Sequence, residues 1–529
     1  MKFPDIRAWP VKFSALAALI AALAFYVERH WGFGLADESY LWYGAQRIVQ
    51  GEVPLRDFMS YDPARYLLSG AWMWLAGDDG ILALRGFLGL LTILATVLAS
   101  SLVAKAWCLD RWWLILLVAV LFTLWIVPRN KVFDALASIV LVASIAWVIG
   151  RPCVSRFFCL GIIVGLLAIL GRNHGVYGLC ASLVAGIWTA WQGHLQQRRQ
   201  TLIAFAAGVG IGYAPMWMAA LFIPGFAAAV LQSVRLMFDY GATNIALPVI
   251  WPWTALLNGR FDPDSILMGS LFAALPIFDV AGIVVMIYLG RQRRDLSPLF
   301  VAAVCASIPY THYAFSRANI SHLSLAVMPM LIGVLAGTSI RPVTPWRAVF
   351  LPLSLILLSM PCALWLHPRY EAWRSAEPWR EVRIGGDALM LKPQEANAVD
   401  LLEALSRTRK DPGPLLVAPL WPGAYTLFHQ RSPDWEIYPL VPRSKDFQEA
   451  EIARLRRSRI GLAAVLNVPA DGNAASLYSN THPLIFAYLK RCYTQRQPTV
   501  TGIPMVIFDG PDRCHRSEVS DGPIPGTTP

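Results

Sequence analysis

The chain has 529 residues, of which 56% are hydrophobic and only 15% charged, whereas soluble domains carry about a quarter charged residues. That balance excludes an ordinary soluble enzyme and points to a polytopic α-helical membrane protein, in keeping with 21 tryptophans of the kind that favour membrane–water interfaces. The net charge of +11 does not signal a nucleic-acid partner, because the bases lie in short clusters between apolar runs, the pattern of cytoplasmic loops.

The first apolar run, 13–27, follows Lys2, Arg7 and Lys12. Its small-x-small triplet, Ala22-Leu23-Ala24, lies inside the run, with Phe25-Tyr26-Val27 still to come, so it reads as a retained span and not a cleaved leader. Just beyond it stands Gly34-Leu35-Ala36-Asp37-Glu38-Ser39-Tyr40. Two adjacent carboxylates beside a bilayer are costly to keep, which marks Asp37 and Glu38 as candidate functional groups, although an acidic turn ending a span has the same sequence. Residues 40–49 and 66–76 are too short to cross and are expected as amphipathic helices on the membrane surface, within a first outer loop spanning 28–80.

Further runs near 81–104, 112–128, 132–150, 157–171, 174–192, 201–223, 265–290, 298–315, 321–339 and 347–366 bring the expected total to about eleven transmembrane helices. With the N-terminus in the cytoplasm, Lys105 and Arg111, Arg151 and Arg156, Arg198 and Arg199, Arg291, Arg293 and Arg294, and Arg341 and Arg347 all fall on the inner side. Residues 1–366 thus form a transmembrane domain, with a second outer loop at 224–264 that holds an interfacial helix at 226–238 and Trp251-Pro252-Trp253. From His367 the composition turns charged and Pro-rich. Residues 367–514 are expected as an extracytoplasmic α/β domain with strands at 415–418 and 462–466 and helices at 394–406 and 447–458, followed by a disordered tail at 515–529. Cys492 and Cys514 stand alone in this region and are open to pairing outside the cell; the other six cysteines lie in or beside apolar runs.

The outer side should be poor in bases, so its exceptions matter. Three near-loopless turns carry Arg129-Asn130-Lys131, Arg172-Asn173-His174, and Arg317-Ala318-Asn319 followed by His322. Arginine binds phosphate oxygens in a bidentate fork and asparagine adds neutral donors, so these turns describe a wall for an anionic lipid headgroup. Snorkelling to ordinary lipid phosphates is the simpler account of any one of them. His194, His429 and His482 have no such setting and are expected at the surface.

The first loop continues through Gly51-Glu52-Val53-Pro54-Leu55-Arg56-Asp57-Phe58 and Tyr61-Asp62-Pro63. An acidic pair followed by tyrosine, then Ala-Gln-Arg, Arg-Asp-Phe and Asp-Pro, resembles the first-loop signature of GT-C membrane glycosyltransferases, closest to the bacterial branch similar to protein O-mannosyltransferases and the aminoarabinose transferase of lipid A (glycosyltransferase family 39-like). The motif covers about residues 34–70; the span layout agrees in a general way. The resemblance implies a GT-C fold and inverting transfer of a sugar from a polyprenyl-phosphate donor to a lipid, glycan or protein acceptor at the outer face of the cytoplasmic membrane. It makes Asp37 the general base, with Glu38 either orienting the acceptor or acting as the base itself. Arg129, Lys131, Arg172, His174, Arg317 and His322 become phosphate-side residues, and Tyr40, Arg56, Asp57 and Asp62 second-rank substrate contacts. Some branches use a divalent cation, for which Asp37, Glu38 and Asp62 could supply ligands, and the resemblance implies no other cofactor. The absence of a β-trefoil module departs from the eukaryotic protein mannosyltransferases. A secondary transporter, with Asp134 or Asp279 as its intramembrane charge, is the alternative from another class; a non-catalytic scaffold and a ligase or polymerase of lipid-linked oligosaccharides are the others.

Overall fold

A computed structural model describes residues 11–108, 112–241, 244–257, 262–337, 344–409, 411–496, 503–510 and 513–514; the tail expected at 515–529 lies outside them. Helix α1 (Val11–Glu28) is apolar on all sides and packs along α4 (Ile81–Trp107). Between them the chain forms α2 (Asp37–Val49) and α3 (Pro63–Ala76). There follow α5 (Leu116–Trp125), α6 (Val132–Gly150), α7 (Val154–Leu170), α8 (Arg172–Trp191), α9 (Arg198–Gly212), α10 (Ala214–Phe222), α11 (Phe226–Tyr240), α12 (Pro252–Leu257), α13 (Pro263–Arg291), α14 (Pro298–Ser316), α15 (Ile320–Ala326), α16 (Met328–Ala336) and α17 (Pro345–Ala363).

Each of the eleven expected runs meets a helix or helix pair. Among the described residues, six helices are long and apolar enough to cross a membrane, and up to seven if α9 and α10, bent by 46° at their junction, count as one. The others fall short for local reasons. The α5 run is only Trp112–Trp125 with its preceding turn, α7 has 17 residues, α8 opens on Arg172-Asn173-His174, and α15 and α16 break apart at Val327. The protein is therefore a helical, polytopic membrane protein.

Helices α7 and α9 meet backbone to backbone. Gly161 and Gly165 on one face Gly208 and Gly212 on the other, and a methyl group at Gly161 would stand 2.2 Å from the Phe205 carbonyl oxygen. Small residues four apart permit this approach, which gains dispersion contacts where no hydrophobic drive exists between helices in lipid.

The expected surface helices separate into two cases. Helix α3 exposes Leu67, Leu68, Trp74 and Leu75, as a helix lying on a membrane should. Helix α2 does not: Glu38–Arg47 is buried throughout, because α3 covers one side and the short Gly423–Leu427 helix of the C-terminal region the other.

The C-terminal region contains α18 (Pro368–Arg374), a hairpin of β1 (Arg380–Ile384) and β2 (Asp387–Leu391), α19 (Pro393–Thr408), β3 (Leu415–Ala418), α20 (Gly423–Leu427), α21 (Lys445–Ser458), β4 (Leu462–Leu466), α22 (Tyr478–Thr481), α23 (Pro483–Cys492), β5 (Thr494–Arg496) and β6 (Met505–Asp509). The last four strands form one sheet in the order β3-β4-β6-β5, with β3 and β4 parallel and the other pairs antiparallel. Strands β3 and β4 are apolar at every position, as strands covered on both faces are. Cys492 and Cys514, 22 residues apart, are joined by a disulfide. The hairpin also reaches the membrane part: Gly32 donates to the Met390 carbonyl at 2.9 Å and Met390 donates to the His30 carbonyl at 2.8 Å.

Candidate active site

Asp37 and Glu38 occupy the first turn of α2, where the unpaired amides of a helix start favour negative charge. Their surroundings then divide them. Glu38 receives Nε and Nη2 of Arg85, each at 2.8 Å, and the same guanidinium donates to the Arg29 and Gly32 carbonyls at 2.6 Å. Arg85 is fully buried and the Glu38 side chain is 9% exposed. Burial opposes the charge on Glu38, but Arg85 and, more weakly, Arg129 hold its carboxyl below the usual range. Asp37 is different: 48% of its side chain is exposed, and it faces an interior cavity. One oxygen stands 3.4 Å from the Lys131 ammonium and the other accepts the Tyr438 hydroxyl at 3.1 Å. Burial pushes its pKa up, and Lys131 and Tyr438 more than reverse this, leaving Asp37 ionised.

Two cavities flank the Asp37–Lys131 contact, one lined by each residue. The larger, about 560 Å³, has a wall of Ala21, Ala24, Phe25, Gly89, Ile126 and Leu366 that descends along α1, α4 and α5. Its upper part is charged in both senses, by Glu28, Asp37, Glu38, Glu371 and Glu395 and by Arg29, Arg85, Arg129 and Lys392. The smaller, about 250 Å³, is cationic: Arg65, Lys131, Arg172 and Arg443 line it against Asp62 and Asp134. Asp37 faces the larger cavity and its partner Lys131 the smaller.

The expected residues distribute as follows. Lys131, Arg172, His174, His322 and Asp62 line the smaller cavity. Arg172 gives Nε to Asp62 at 2.8 Å and Nη2 to Ser233 on α11 at 3.2 Å. Arg129 lies in the larger cavity, donating to the Trp31 carbonyl at 2.9 Å and 4.0 Å from Glu38. Arg317 lines neither cavity; it reaches the Ile245 carbonyl at 3.3 Å, and its charge is felt at Asp37. The three arginines therefore do not share one wall. Arg56 and Asp57 pair with each other at 2.8 Å in a loop outside both cavities. Tyr40 is buried between Tyr61 and Tyr438, with ring centroids 4.9 and 5.4 Å away. The three carboxylates expected to hold a divalent cation each pair with a basic side chain instead, Asp37 with Lys131, Glu38 with Arg85 and Asp62 with Arg172. Among the described residues no group of three or more His, Cys, Asp or Glu could hold a metal ion. The donor set present does not fit one.

Arg65, Tyr310 and Tyr313 in this site carried no sequence signal of their own. Asp134, read above only as a transporter's intramembrane charge, accepts from His174 Nε2 at 2.9 Å and the Tyr313 hydroxyl at 3.2 Å, and lies 3.6 Å from Arg65. His174 binds Tyr310 with its other nitrogen at 2.8 Å. Asp279, the other intramembrane candidate, accepts the Thr311 hydroxyl at 2.6 Å and lines neither cavity. His482 is a correction: expected at the surface, it is 1% exposed, held by Glu436 at 3.0 Å.

No protein-family profile matches the sequence, and no curated protein matches it. Solved structures do. ArnT from Cupriavidus metallidurans in the apo state superposes with a TM-score of 0.50 at 12% identity, over 94% of this chain and 97% of that one. The chain shares the overall fold of that protein. A second structure of that ArnT, bound to undecaprenyl phosphate, gives 0.49 at 12% identity over 95% and 98%. The Archaeoglobus fulgidus oligosaccharyltransferase in the apo form gives 0.47 at 12% identity over 94% and 76%. At such identities the likeness concerns the fold alone; the chemistry has to come from the side chains.

Proposed function

We propose that the protein is an inverting glycosyltransferase that moves a sugar from a polyprenyl-phosphate donor to a lipid-linked, glycan or protein acceptor at the outer face of the cytoplasmic membrane. The observation that carries this reading is the position of Asp37, an ionised carboxylate facing the larger cavity whose partner Lys131 faces a smaller, cationic one. A donor phosphate suits the cationic cavity, where Lys131 and Arg172 stand as counter-charges. An acceptor suits the larger cavity, whose apolar wall accommodates a lipid chain and whose charged upper part meets a polar group.

In this arrangement the acceptor hydroxyl or amine attacks the anomeric carbon from the Asp37 side. Asp37 takes its proton, the bond from the anomeric carbon to the phosphate oxygen breaks, and the electron pair leaves with the polyprenyl phosphate. Lys131 and Arg172 stabilise that added charge where it forms. A single displacement inverts the anomeric centre and needs no covalent intermediate. Glu38, with both oxygens on Arg85, shapes the loop and does not act as the base. The outer placement of the C-terminal α/β domain (367–514) is supported by the Cys492–Cys514 disulfide, a bond of oxidising compartments. It is supported also by the clusters of Lys and Arg on the opposite connections. The same charge pattern supports an N-terminus in the cytoplasm when the apolar runs are taken as about eleven spans.

The test is transfer by the detergent-purified protein from a panel of radiolabelled polyprenyl-phosphate sugars to a membrane glycolipid extract. Asp37→Asn should lose at least about a hundredfold in rate, the usual contribution of a general base. Equal labelling by wild type and Asp37→Asn overturns the reading.

A further inference from the structure

The C-terminal region sends one segment, Ser432–Arg443, down onto the first loop, between α20 and α21. Both ends of it are fixed by buried polar contacts. On the loop side, the Ser432 amide donates to the Tyr43 hydroxyl at 3.0 Å, the Trp435 indole donates to the Leu55 carbonyl at 3.0 Å, and the Met59 amide donates to the Trp435 carbonyl at 2.9 Å. On the other side, the Trp435 amide donates to Glu451 at 2.7 Å, and Glu436 accepts from Arg443 Nε at 2.7 Å and His482 Nε2 at 3.0 Å. A segment held so tightly at two surfaces carries its side chains in fixed directions. Trp435 and Arg443 line the smaller cavity, Tyr438 lines the larger one, and the segment is therefore part of the partition between them.

Tyr438 lies against Tyr40, which in turn meets Tyr61 and Tyr66 edge-on at 4.9 and 6.2 Å. Aromatic packing of this kind fixes both χ angles of the ring and aims the hydroxyl at Asp37 Oδ1. We infer that the Ser432–Arg443 strap makes the C-terminal domain a component of the catalytic centre, with Tyr438 as a positioning residue that orients the Asp37 carboxylate for the acceptor. This rests on the reading of Asp37 as the general base. The hydroxyl occupies one oxygen, Lys131 flanks the other, and the carboxylate cannot rotate away from the cavity without breaking both contacts. Burial keeps the Tyr438 phenol protonated far above neutral pH, so it donates throughout the working range. The other charged or titratable groups facing Asp37 are Glu38 on its own helix, Lys131 from the turn before α6, Arg317 before α15, His322 on α15 and Tyr61 before α3. Tyr438 is the member of that set contributed by the C-terminal region.

Tyr438→Phe keeps the ring and removes the hydroxyl. It should lower kcat about tenfold, as the loss of one hydrogen bond to a charged group does, with the KM for donor unchanged. The acid limb of the kcat–pH profile should move to higher pH, because Asp37 loses a donor that favours its ionised form. A wild-type kcat and acid limb overturn the inference. So does a lowered kcat with an unmoved acid limb, which packing loss alone would produce. Asp37→Asn, assayed beside it, separates the two layers. If Asp37→Asn transfers at the wild-type rate, the base assignment falls and the inference with it. If Asp37→Asn is inactive while Tyr438→Phe behaves as wild type, only the positioning role falls.

Discussion

Glu38→Ala tests the division between the two neighbouring carboxylates most directly. The Arg85 guanidinium is fully buried, with two of its four bonds to Glu38 and two to backbone carbonyls. Removing Glu38 leaves a full charge facing only dipoles, and it also exposes Arg85 to unopposed repulsion from Arg129, which stands 4.0 Å from the same carboxylate. Breaking a buried pair in this way costs about 3–5 kcal/mol. For a chain of this size that is a fall in thermal midpoint of about 3–5 °C, read by tryptophan fluorescence of the protein in detergent. The double variant Glu38→Ala/Arg85→Met removes both charges and should recover most of the loss, since apolar replacement of a whole buried pair is often neutral. Glu38 has a depressed folded pKa, so its contribution is complete above its ordinary 4.5 and is lost as pH falls through the folded value. The midpoints of wild type and Glu38→Ala should accordingly converge in acid. A single variant within about 1 kcal/mol of wild type, or a double variant no better than the single, would refute the reasoning.

Gly161→Ala puts a methyl 2.2 Å from the Phe205 carbonyl oxygen and should destabilise by about 1–3 kcal/mol through forced separation of α7 and α9; Gly210→Ala on α9 meets open space and should leave the same melting curve unchanged. Glu395 has its carboxyl raised by burial to about 6, with Lys392 and the Phe33 amide only partly offsetting this. Its folded pKa lies above the ordinary 4.5, so the stability it contributes is present in acid and lost as pH rises through about 6. Glu395→Gln should therefore flatten the dependence of midpoint on pH between 4.5 and 7 relative to wild type, and parallel curves for the two proteins would exclude this origin.

The long elements were legible because lipid demands continuous apolar helix and charge asymmetry orders it. Strands β3 and β4 were legible as short apolar runs bounded by polar ones. Helix α2 was read as a surface helix because its polar residues suit an interface, and nothing local reveals that α3 and α20 cover it. In the site, Asp37 stood out by its place beside a span. Arg85 and Arg65 did not, and Asp134 did so only as a transporter's charge, because their partners come from 40 or more residues away. Tyr438 was beyond reach for the same reason: its contact with Asp37 spans 401 residues. The three arginine turns were found as individuals, but only the packing of α6, α8 and α15 puts Arg129 at the larger cavity, Arg172 at the smaller and Arg317 at neither.

The pairing of the His30–Gly32 segment with Met390 bears on biosynthesis. The first loop enters the membrane system early, yet the strand that fastens its entry and the tyrosine that meets Asp37 are among the last parts made. A membrane-inserted fragment lacking the C-terminal region carries both carboxylates and their partners Lys131 and Arg85 but neither fastening. On the reading of Asp37 as the general base, such a fragment lacks the hydroxyl that orients that carboxylate, so the order of synthesis places the completion of the centre after the C-terminal region is made.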